Sequence, residues 1–441
     1  MKKTVYLLGL CGLFSCSGGS SNPFSDDEIT LANQAARAVS EHSYKNFSLE
    51  LEVKTTPGAV GGIVFHSDGL VDSKVGYEVL VNNNAEPTEW RKTGSLSAVR
   101  NFGKCLAGND RWVEVKIEVN DINIRVYVDS VWVVDYYQPE APYRVPEYRD
   151  RLLSKGVFVL ENHTDAPIYF RHIRVTELPE SAVCVAAHLN ETADDIIRFQ
   201  QDNFPLIDAH LHLKGGLTAE DVAALTRKYG ITYGIAPNCG KNFPVTTDKD
   251  IYAWLDSTKH HPFLLPMQAE GREWLDMFSP KAIEAFDYVF TDALTWTDDK
   301  GRRMRIWIPE ETWVDNKQHF MEMLVERACK IISTEPINIY VNPSFLPDEL
   351  MPEYDALWTK ARMTKVIDAC VAGGIAIEIN NRYKIPSQTF IALAKERGAK
   401  FSIGTNNGGK EDVGRLEYAI EMLKACGITK EDMWLPMSSN H

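Results

Sequence analysis

The chain has 441 residues, of which 44% are hydrophobic and 24% are charged, and its formal net charge is −14 at pH 7. This length exceeds one ordinary hydrophobic core and predicts a globular protein of two or three domains. The acidic balance argues against nucleic acid and anionic lipid headgroups as partners, because both favour a basic surface. No apolar run beyond the N-terminal segment approaches the length of a membrane span.

The N-terminus has the pattern of a secretion signal. Lys2 and Lys3 give a basic start, and the apolar run that follows is too short for a permanent membrane helix. Leu13-Phe14-Ser15-Cys16 resembles the lipobox of bacterial lipoproteins, in which the signal is cut before a cysteine that becomes lipidated. The resemblance implies that residues 1–22 are a signal and tether, and that the lipid on Cys16 holds the protein in the cell envelope, in the periplasm or at the outer-membrane surface. A plain secretory signal is the alternative.

Residues 28–178 alternate apolar and polar side chains with a period of two. Phe47–Lys54 and Val113–Val119 show this alternation, which predicts half-buried antiparallel strands. Asn120-Asp121 separates the second run from another alternating run and indicates a hairpin. Shorter strand patterns follow at 156–160 and 168–175 without a helical pattern between them. Many short strands with turns predict an all-β sandwich or jelly roll.

Five segments of this region carry a family resemblance: Phe47–Lys54, Gly61–Phe65, Gly76–Val79, Thr93–Leu96 and Phe170–Val175. They resemble the concanavalin-A-like family of 3-keto-disaccharide hydrolases, which are secreted jelly rolls associated with glycan breakdown. The resemblance implies a carbohydrate or glycoside as the substrate. The chain departs from the family in lacking the opening segment with a tryptophan, in having His66 where arginine is common, and in having Glu161 where glutamine is common. Such an altered copy could bind a sugar without cleaving it.

One acid stands out as the candidate catalytic group of the predicted sandwich. Glu78 is the carboxyl group to test first, and four polar residues near strand ends or loops are candidate substrate contacts: His66, Arg100, His163 and Arg171. The alternative for each of them is a solvated or salt-bridged strand residue.

The second half of the chain alternates apolar strands with helical segments. Pro179-Glu180 ends the sandwich, and a helix at 191–204 belongs to a linker that spans 179–204. Thr218 is a plausible N-cap of the first helix after it. Repeated βα units predict a parallel sheet or barrel over 205–441. The seven predicted strands are 206–209, 231–236, 263–268, 287–290, 337–341, 375–379 and 401–404.

Polar residues follow each predicted strand. His210 and His212 come first, and they point to the same side because residues two apart on a strand share a face. Two neutral imidazoles aimed at one point suit a divalent metal, although hydrogen-bonded structural histidines are the alternative. The carboxyl ends of barrel strands converge on one mouth, where chemistry is built. The other strand ends carry Asn238, Glu270, Asp292, Asn342, Asn380, Asn381, Asn406 and Asn407.

Seven strands, Asp208-x-His210-x-His212, Glu270, Glu378-Ile-Asn380 and Ile403-Gly-Thr405 resemble the polymerase-and-histidinol-phosphatase superfamily. Its members are distorted seven-stranded barrels and metal-dependent hydrolases. The resemblance, over about residues 203–436, implies one zinc, manganese or iron ion, which would activate water. Histidines expected near Asn238 and Asn342 are absent, and the closing aspartate and histidine are replaced within Thr405–Gly408. The implied ligands are His210, His212, Glu270 and Asp292.

The expected function is hydrolysis in glycan metabolism by a lipid-anchored protein that cleaves a glycoside or keto-glycoside. Its enzyme class is glycosidase-like or, through the barrel, metal-dependent and phosphoesterase-like. Asp208, Asp292 and Glu378 are the candidate bases of the barrel. An anionic or hydroxyl-rich substrate would be held by Lys241, Arg272, Asn380, Arg382 and Asn406. The alternative is a non-catalytic surface glycan-binding lipoprotein whose barrel is degenerate.

Overall fold

The computed structural model describes residues 19–86, 89–180 and 195–437. Its N-terminal part is built from strands that form two antiparallel sheets. In chain order these strands are β1 (Glu28–Leu31), β2 (Arg37–Val39), β3 (Phe47–Thr55), β4 (Gly61–Ser67), β5 (Tyr77–Val81), β6 (Val113–Asn120), β7 (Asn123–Val128), β8 (Val131–Tyr137), β9 (Val157–Asn162) and β10 (Ile168–Glu177).

The two sheets face each other across an aromatic core. One sheet has the order β1-β10-β3-β6-β7-β8, and the other has the order β2-β9-β4-β5. Phe47 of β3 lies 5.6 Å from Phe65 of β4 and 4.8 Å from Phe158 of β9, measured between ring centroids. The period of two in β3 is therefore explained by one face that packs on the opposite sheet and one that meets solvent. This arrangement is consistent with the predicted jelly roll.

The C-terminal part alternates strands and helices, and within the described ranges no helix is both long and apolar enough to cross a membrane. In chain order the elements are α1 (Asp195–Gln201), β11 (Ile207–Leu211), α2 (Ala219–Tyr229), β12 (Thr232–Ile235), β13 (Asn238–Gly240), α3 (Asp248–Thr258), β14 (Met267–Glu270), α4 (Trp274–Met277), α5 (Pro280–Ile283), β15 (Val289–Thr291), β16 (Thr295–Thr297), β17 (Arg303–Arg305), α6 (Lys317–Thr334), β18 (Ile339–Tyr340), α7 (Tyr354–Leu357), α8 (Lys360–Gly373), β19 (Ala376–Asn380), α9 (Gln388–Glu396), β20 (Phe401–Gly404) and α10 (Glu417–Ala425).

The parallel strands close on themselves. Their order is β12-β11-β20-β19-β18-β15-β14-β13. The two ends of this order, β12 and β13, are consecutive pieces of chain separated only by Ala236-Pro237. Gly234 of β12 also bridges Leu264, just before β14. The sheet therefore has seven strand positions in a ring, and it fits the predicted (β/α) barrel.

Local differences from the predicted elements occur at strand and helix ends. The strand predicted at 263–268 is β14, and Glu270 is its last residue. Thr218 is the N-cap of α2, and its side chain accepts a hydrogen bond from the backbone of Asp221. The linker helix predicted at 191–204 corresponds to α1, while residues 181–194 lie outside the described ranges. The antiparallel pair β16–β17, inserted after β15, has no counterpart in the predicted pattern.

The sandwich contacts the amino-terminal end of the barrel. The backbone N–H of Gly103 donates to Oγ1 of Thr232, the first residue of β12, at 2.9 Å. Nζ of Lys104 donates to the carbonyl of Phe263, which precedes β14, at 2.7 Å. Both contacts lie where barrel strands begin. The mouth formed by the strand carboxyl ends therefore lies at the end of the barrel that is remote from the sandwich.

Candidate functional sites

His66, a predicted substrate contact, is part of the folded core of the sandwich. Its side chain is buried. Nε2 lies 2.8 Å from the carbonyl of Lys45, and Nδ1 accepts a hydrogen bond from the backbone N–H of Ser154 at 3.1 Å. Burial lowers the pKa of His66 to about 4. The ring is therefore neutral, and both of its nitrogens are used within the protein.

The two arginines predicted as substrate contacts in the sandwich also have structural partners. Nε of Arg100 donates to the carbonyl of Lys228 at 2.6 Å, which places Arg100 in the contact with the barrel. Nε of Arg171 donates to Glu52 at 2.6 Å, and its guanidinium lies 4.1 Å from the ring centre of Trp112. The structure therefore does not bring His66, Arg100 and Arg171 together around a substrate.

Glu78 and His163 do lie together. Oε1 of Glu78 is 3.3 Å from Nε2 of His163, and Oε2 is 3.3 Å from Nη2 of Arg151. Burial opposes ionisation of Glu78, but the positive charges of His163, Arg151 and Arg91 outweigh it and lower its pKa. Burial also opposes a charge on His163, but a hydrogen bond with Glu161 and the charge of Glu78 raise its pKa. The cluster is a carboxylate beside a group able to hold a proton.

The cavity at Glu78 is small. Its volume is about 60 Å³, whereas one water molecule takes up roughly 30 Å³ of liquid. Pockets that hold small molecules have volumes from about 300 Å³ upwards. In this conformation the cavity has room for water but not for a sugar ring.

The barrel mouth holds a larger cavity. Its volume is about 320 Å³, which reaches the range of small-molecule pockets. Five predicted site residues line it, namely His212, Glu270, Asp292, Arg382 and Asn406. The remaining lining residues are Lys214, Asn238, Phe243, Pro244, Gln268, Leu294, Trp307, Asn342 and Tyr383.

Two buried carboxyl groups, Glu270 and Asp292, lie on the wall of this cavity. Oε1 of Glu270 accepts hydrogen bonds from Asn238 at 2.9 Å and Gln268 at 3.0 Å, while Oε2 is buried without a hydrogen-bond partner among the described residues. Asp292 accepts one hydrogen bond from a backbone N–H and one from the Asn342 amide, both at 2.9 Å. Burial and the charge of Asp292 raise the pKa of Glu270 to about 8. The pair therefore holds a proton at neutral pH.

His210 and Glu378 form a second buried pair. Nδ1 of His210 donates to Oε1 of Glu378 at 2.6 Å, and Oε2 of Glu378 accepts from the Asn342 backbone at 2.7 Å and from Asn380 at 3.0 Å. A Cβ atom on Gly404 would lie 2.0 Å from Oε1 of Glu378, so glycine leaves the space that this pair needs. Neither Glu378 nor Asn380 lines the mouth cavity. Their predicted roles as base and substrate contact are therefore not what the geometry indicates.

His212 points beside His210, as the strand spacing predicts. The two ring centroids are 5.1 Å apart. Nδ1 of His212 lies 2.8 Å from the carbonyl of Ala236. Burial, together with the charges of His210 and Lys214, lowers the pKa of His212 well below its ordinary value. His212 is therefore a neutral ring with Nδ1–H fixed by the backbone.

Two of the four implied metal ligands keep a free donor atom, since Nε2 of His210 and Oε2 of Glu270 are buried without a hydrogen-bond partner among the described residues. The four implied ligands are neighbours, but no three His, Cys, Asp or Glu residues of the described ranges form a group that could hold a metal ion. Asn238 and Asn342 stand where the superfamily has histidines, and their amide nitrogens donate to Glu270 and Asp292. An amide NH₂ offers no lone pair comparable with that of imidazole. The divalent-metal site predicted from the sequence stays a prediction, and no catalytic step is derived through a metal.

Three other predicted residues lie outside the mouth. Lys241 is exposed and does not line the cavity. Nη1 of Arg272 donates to Glu335 at 2.7 Å, and Arg272 lines a separate cavity of about 440 Å³ on the side of the barrel. Asp208, a candidate base, accepts a hydrogen bond from the Thr405 backbone at 2.8 Å, and burial raises its pKa to about 6.

Several residues that line the mouth were missing from the predicted set. Gln268 lies two residues before Glu270 on β14, and Lys214 lies two residues after His212. Alternation along β14 would have found Gln268, whereas Lys214 lies beyond the end of β11 and outside the strand alternation. Trp307 has no such signal, because it follows the inserted strands β16 and β17 and reaches the cavity only through the tertiary fold.

The comparisons with known proteins concern the two parts separately. Residues 17–176, less than half of the chain, match the family model described as the 3-keto-alpha-glucoside-1,2-lyase-like domain. The resemblance predicted for the N-terminal domain is confirmed for these residues. No curated protein matches the chain.

Several solved structures are similar to parts of the chain. A candidate glycosyl hydrolase from Parabacteroides distasonis ATCC 8503 is 15% identical, with 34% of this chain and 81% of that chain covered and a TM-score of 0.31. The carbohydrate-binding module CBM66 from Bacillus subtilis is 18% identical, with 34% and 96% covered and a TM-score of 0.25. Histidinol phosphate phosphatase from Lactococcus lactis, in complex with zinc, L-histidinol and phosphate, is 14% identical, with 51% and 95% covered and a TM-score of 0.38. Likenesses at this level do not determine the function of this chain.

Proposed function

We propose that the chain is a hydrolase of glycan metabolism, that its substrate is a glycoside, and that its catalytic centre is the barrel mouth. The observation that carries this proposal is the pair Glu270 and Asp292 on the wall of a cavity of about 320 Å³. The family match of the N-terminal domain supports a carbohydrate as the substrate.

The two carboxyl groups have the complementary states that glycoside hydrolysis needs. One group protonates the oxygen that leaves, and the other, as a carboxylate, activates water or stabilises the positive charge that develops on the sugar. Glu270 holds a proton at neutral pH, and its Oε2 has no hydrogen-bond partner among the described residues. Burial raises the pKa of Asp292, and the two hydrogen bonds that it accepts oppose this rise and favour its carboxylate. In the proposed reaction Glu270 gives its proton to the leaving oxygen, and Asp292 receives the proton of the attacking water.

The walls of the mouth suit a sugar. Phe243, Trp307 and Tyr383 provide aromatic surface, which matches the apolar faces of a pyranose ring. Gln268 and Asn406 also line the cavity, and their amides can exchange hydrogen bonds with hydroxyl groups. The rest of the lining is mainly polar and charged, which suits a hydroxyl-rich ligand.

A second candidate reaction belongs to the sandwich, and the Glu78–His163 cluster favours it. In a glycoside with a keto group at C3, a carboxylate such as Glu78 would remove the proton at C2, a C1–C2 double bond would form and the C1–O bond would break. The leaving oxygen would take a proton from His163. The cavity of about 60 Å³ is too small for this substrate without movement of its rim, so the barrel mouth remains our first candidate.

Turnover of aryl glycosides and 3-keto-glucosides by four variants tests the assignment. Glu270→Gln and Asp292→Asn should each lower kcat at least about 100-fold while substrate still binds. Glu273→Gln is the matched control, because this neighbouring carboxylate pairs with Arg303 outside the mouth. Loss of activity in Glu78→Gln alone would assign the reaction to the sandwich. A wild-type protein that binds saccharides without turnover would be the non-catalytic glycan-binding protein.

We also propose that a lipid on Cys16 anchors the protein in the cell envelope. The support is the lipobox-like Leu13–Cys16, and residues 1–18 lie outside the described ranges. Intact-mass analysis of the protein from a bacterial membrane fraction should show a lipidated N-terminal cysteine. A Cys16→Ser variant should lose the lipid, and an unmodified Cys16 in the wild type would contradict the proposal.

A further inference from the structure

We infer that the saccharide bound in the barrel mouth carries an anionic group, which Lys214 and Arg382 hold at the rim. This inference rests on the proposed function, because it concerns the same cavity. Both side chains line the mouth. Lys214 was not among the residues that the sequence singled out.

The two cations come from separate loops that meet at glycines. Lys214 follows β11, and Arg382 follows β19. A Cβ atom on Gly215 would lie 2.6 Å from the Cα atom of Gly409, so the loop after β11 touches the loop after β20. A Cβ atom on Gly408 would lie 3.6 Å from Cζ of Arg382. These close approaches place both cations at one part of the rim.

Neither cation has an ion-pair partner in the part of the chain that the structure describes. Nη1 of Arg382 approaches only the carbonyls of Asn406 and Asn407, at 3.5 and 3.4 Å, and its guanidinium lies 5.3 Å from the ring centre of Tyr383. Both cations line the same cavity, and like charges at one rim repel each other. An oxyanion between them would relieve this repulsion.

Two neighbouring cations without an ion-pair partner among the described residues are unusual in a chain with an excess of acidic residues. The chain has 61 acidic and 47 basic residues, and the neighbouring Lys410 pairs with Asp221 at 2.7 Å. Asp412, an acid of the rim loop, accepts hydrogen bonds from two backbone N–H groups. The rim therefore keeps two positive charges available.

The geometry of these groups defines the class of ligand. A guanidinium presents paired N–H donors that match the oxygens of a carboxylate, phosphate or sulfate, and an ammonium adds a point charge. The acids Glu270 and Asp292 also line the cavity, and an oxyanion beside them would be unfavourable. The predicted ligand is therefore a saccharide whose carboxylate, phosphate or sulfate group lies at the Lys214 side of the cavity.

Calorimetric titration with glucuronate, glucose 6-phosphate and glucose tests the inference on the full chain at low salt. At least one anionic sugar should bind about tenfold or more tightly than glucose. The Lys214→Gln/Arg382→Gln variant should lose this preference, so that its affinities for the three sugars become similar. Lys410→Gln, a nearby cation that does not line the cavity, should behave as the wild type. A preference for glucuronate would identify a carboxylate, and a preference for glucose 6-phosphate would identify a phosphate.

Two results would overturn the inference. Equal affinities of the wild type for all three sugars would show that no anion site exists, and glucose binding would then leave the proposed function in place. A preference that persists in the double variant would place the anion at other residues. If none of the three sugars binds the wild type, the proposed function fails together with the inference.

Discussion

Replacing Glu270 by glutamine should make the folded protein more stable at about pH 8. Glu270 is only 4% exposed, and burial and the charge of Asp292 raise its pKa from 4.5 to about 8. At a pH below the pKa of Glu270 in the unfolded chain, the folded and the unfolded states both hold the proton. As the pH rises towards 8, the unfolded chain releases the proton and the folded protein keeps it, so the wild type loses stability over this window.

The size of this loss of stability follows from the two pKa values of Glu270. A rise of the pKa from 4.5 to about 8 corresponds to at most roughly 5 kcal/mol at about 1.36 kcal/mol per unit. Glutamine has no proton to release, and its carbonyl can still accept from Asn238 and Gln268. The free energy of unfolding of Glu270→Gln should therefore match that of the wild type near about pH 5 and exceed it by a few kcal/mol near about pH 8.

Urea unfolding of both proteins across this pH range is the assay. Glu273→Gln is a control of opposite sign, because the hydrogen bond from Arg303 outweighs burial and lowers the pKa of Glu273. That variant should gain no stability at about pH 8. A Glu270→Gln protein that is less stable than the wild type at about pH 8, or a difference that does not change with pH, would show that Glu270 is ionised in the folded protein.

Three further predictions concern the framework. Glu78→Gln should lower the free energy of unfolding by about 1–3 kcal/mol near neutral pH. The pKa of Glu78 is lowered in the folded protein, so its carboxylate stabilises the fold above the pKa of the unfolded chain, and this stabilisation is lost as the pH falls. An unchanged urea midpoint would contradict this prediction. Gly404→Ala should cost about 1–3 kcal/mol or more, since its Cβ would lie 2.0 Å from Glu378, and a wild-type Tm would refute that contact. Gln200→Ala removes the side-chain oxygen of α1 that accepts a hydrogen bond from the backbone N–H of Asn101 in the sandwich. The unpaired N–H should lower the free energy of unfolding by about 1–3 kcal/mol and therefore lower the calorimetric Tm. An unshifted Tm would argue against this contact.

The sequence by itself determined the two architectures and much of the mouth. Period-two alternation in Phe47–Lys54 requires one buried and one solvated face, which is the condition for a sandwich strand. Repeated βα units require a parallel sheet, and the rule that strand carboxyl ends share one mouth collected His212, Glu270, Asp292 and Asn406 correctly around one cavity. These inferences held because they depend on local periodicity and chain direction.

Only the tertiary structure decided which polar residues are free for a ligand. Arg171 is hydrogen-bonded to Glu52, which is 119 positions away in the chain. Arg100 is hydrogen-bonded to Lys228 over 128 positions, and His210 to Glu378 over 168 positions. Periodicity tells which side of a strand a side chain takes, but not which distant group it meets there. The raised pKa of Glu270 likewise comes from burial beside Asp292, and burial is set by packing between elements that are far apart in the chain.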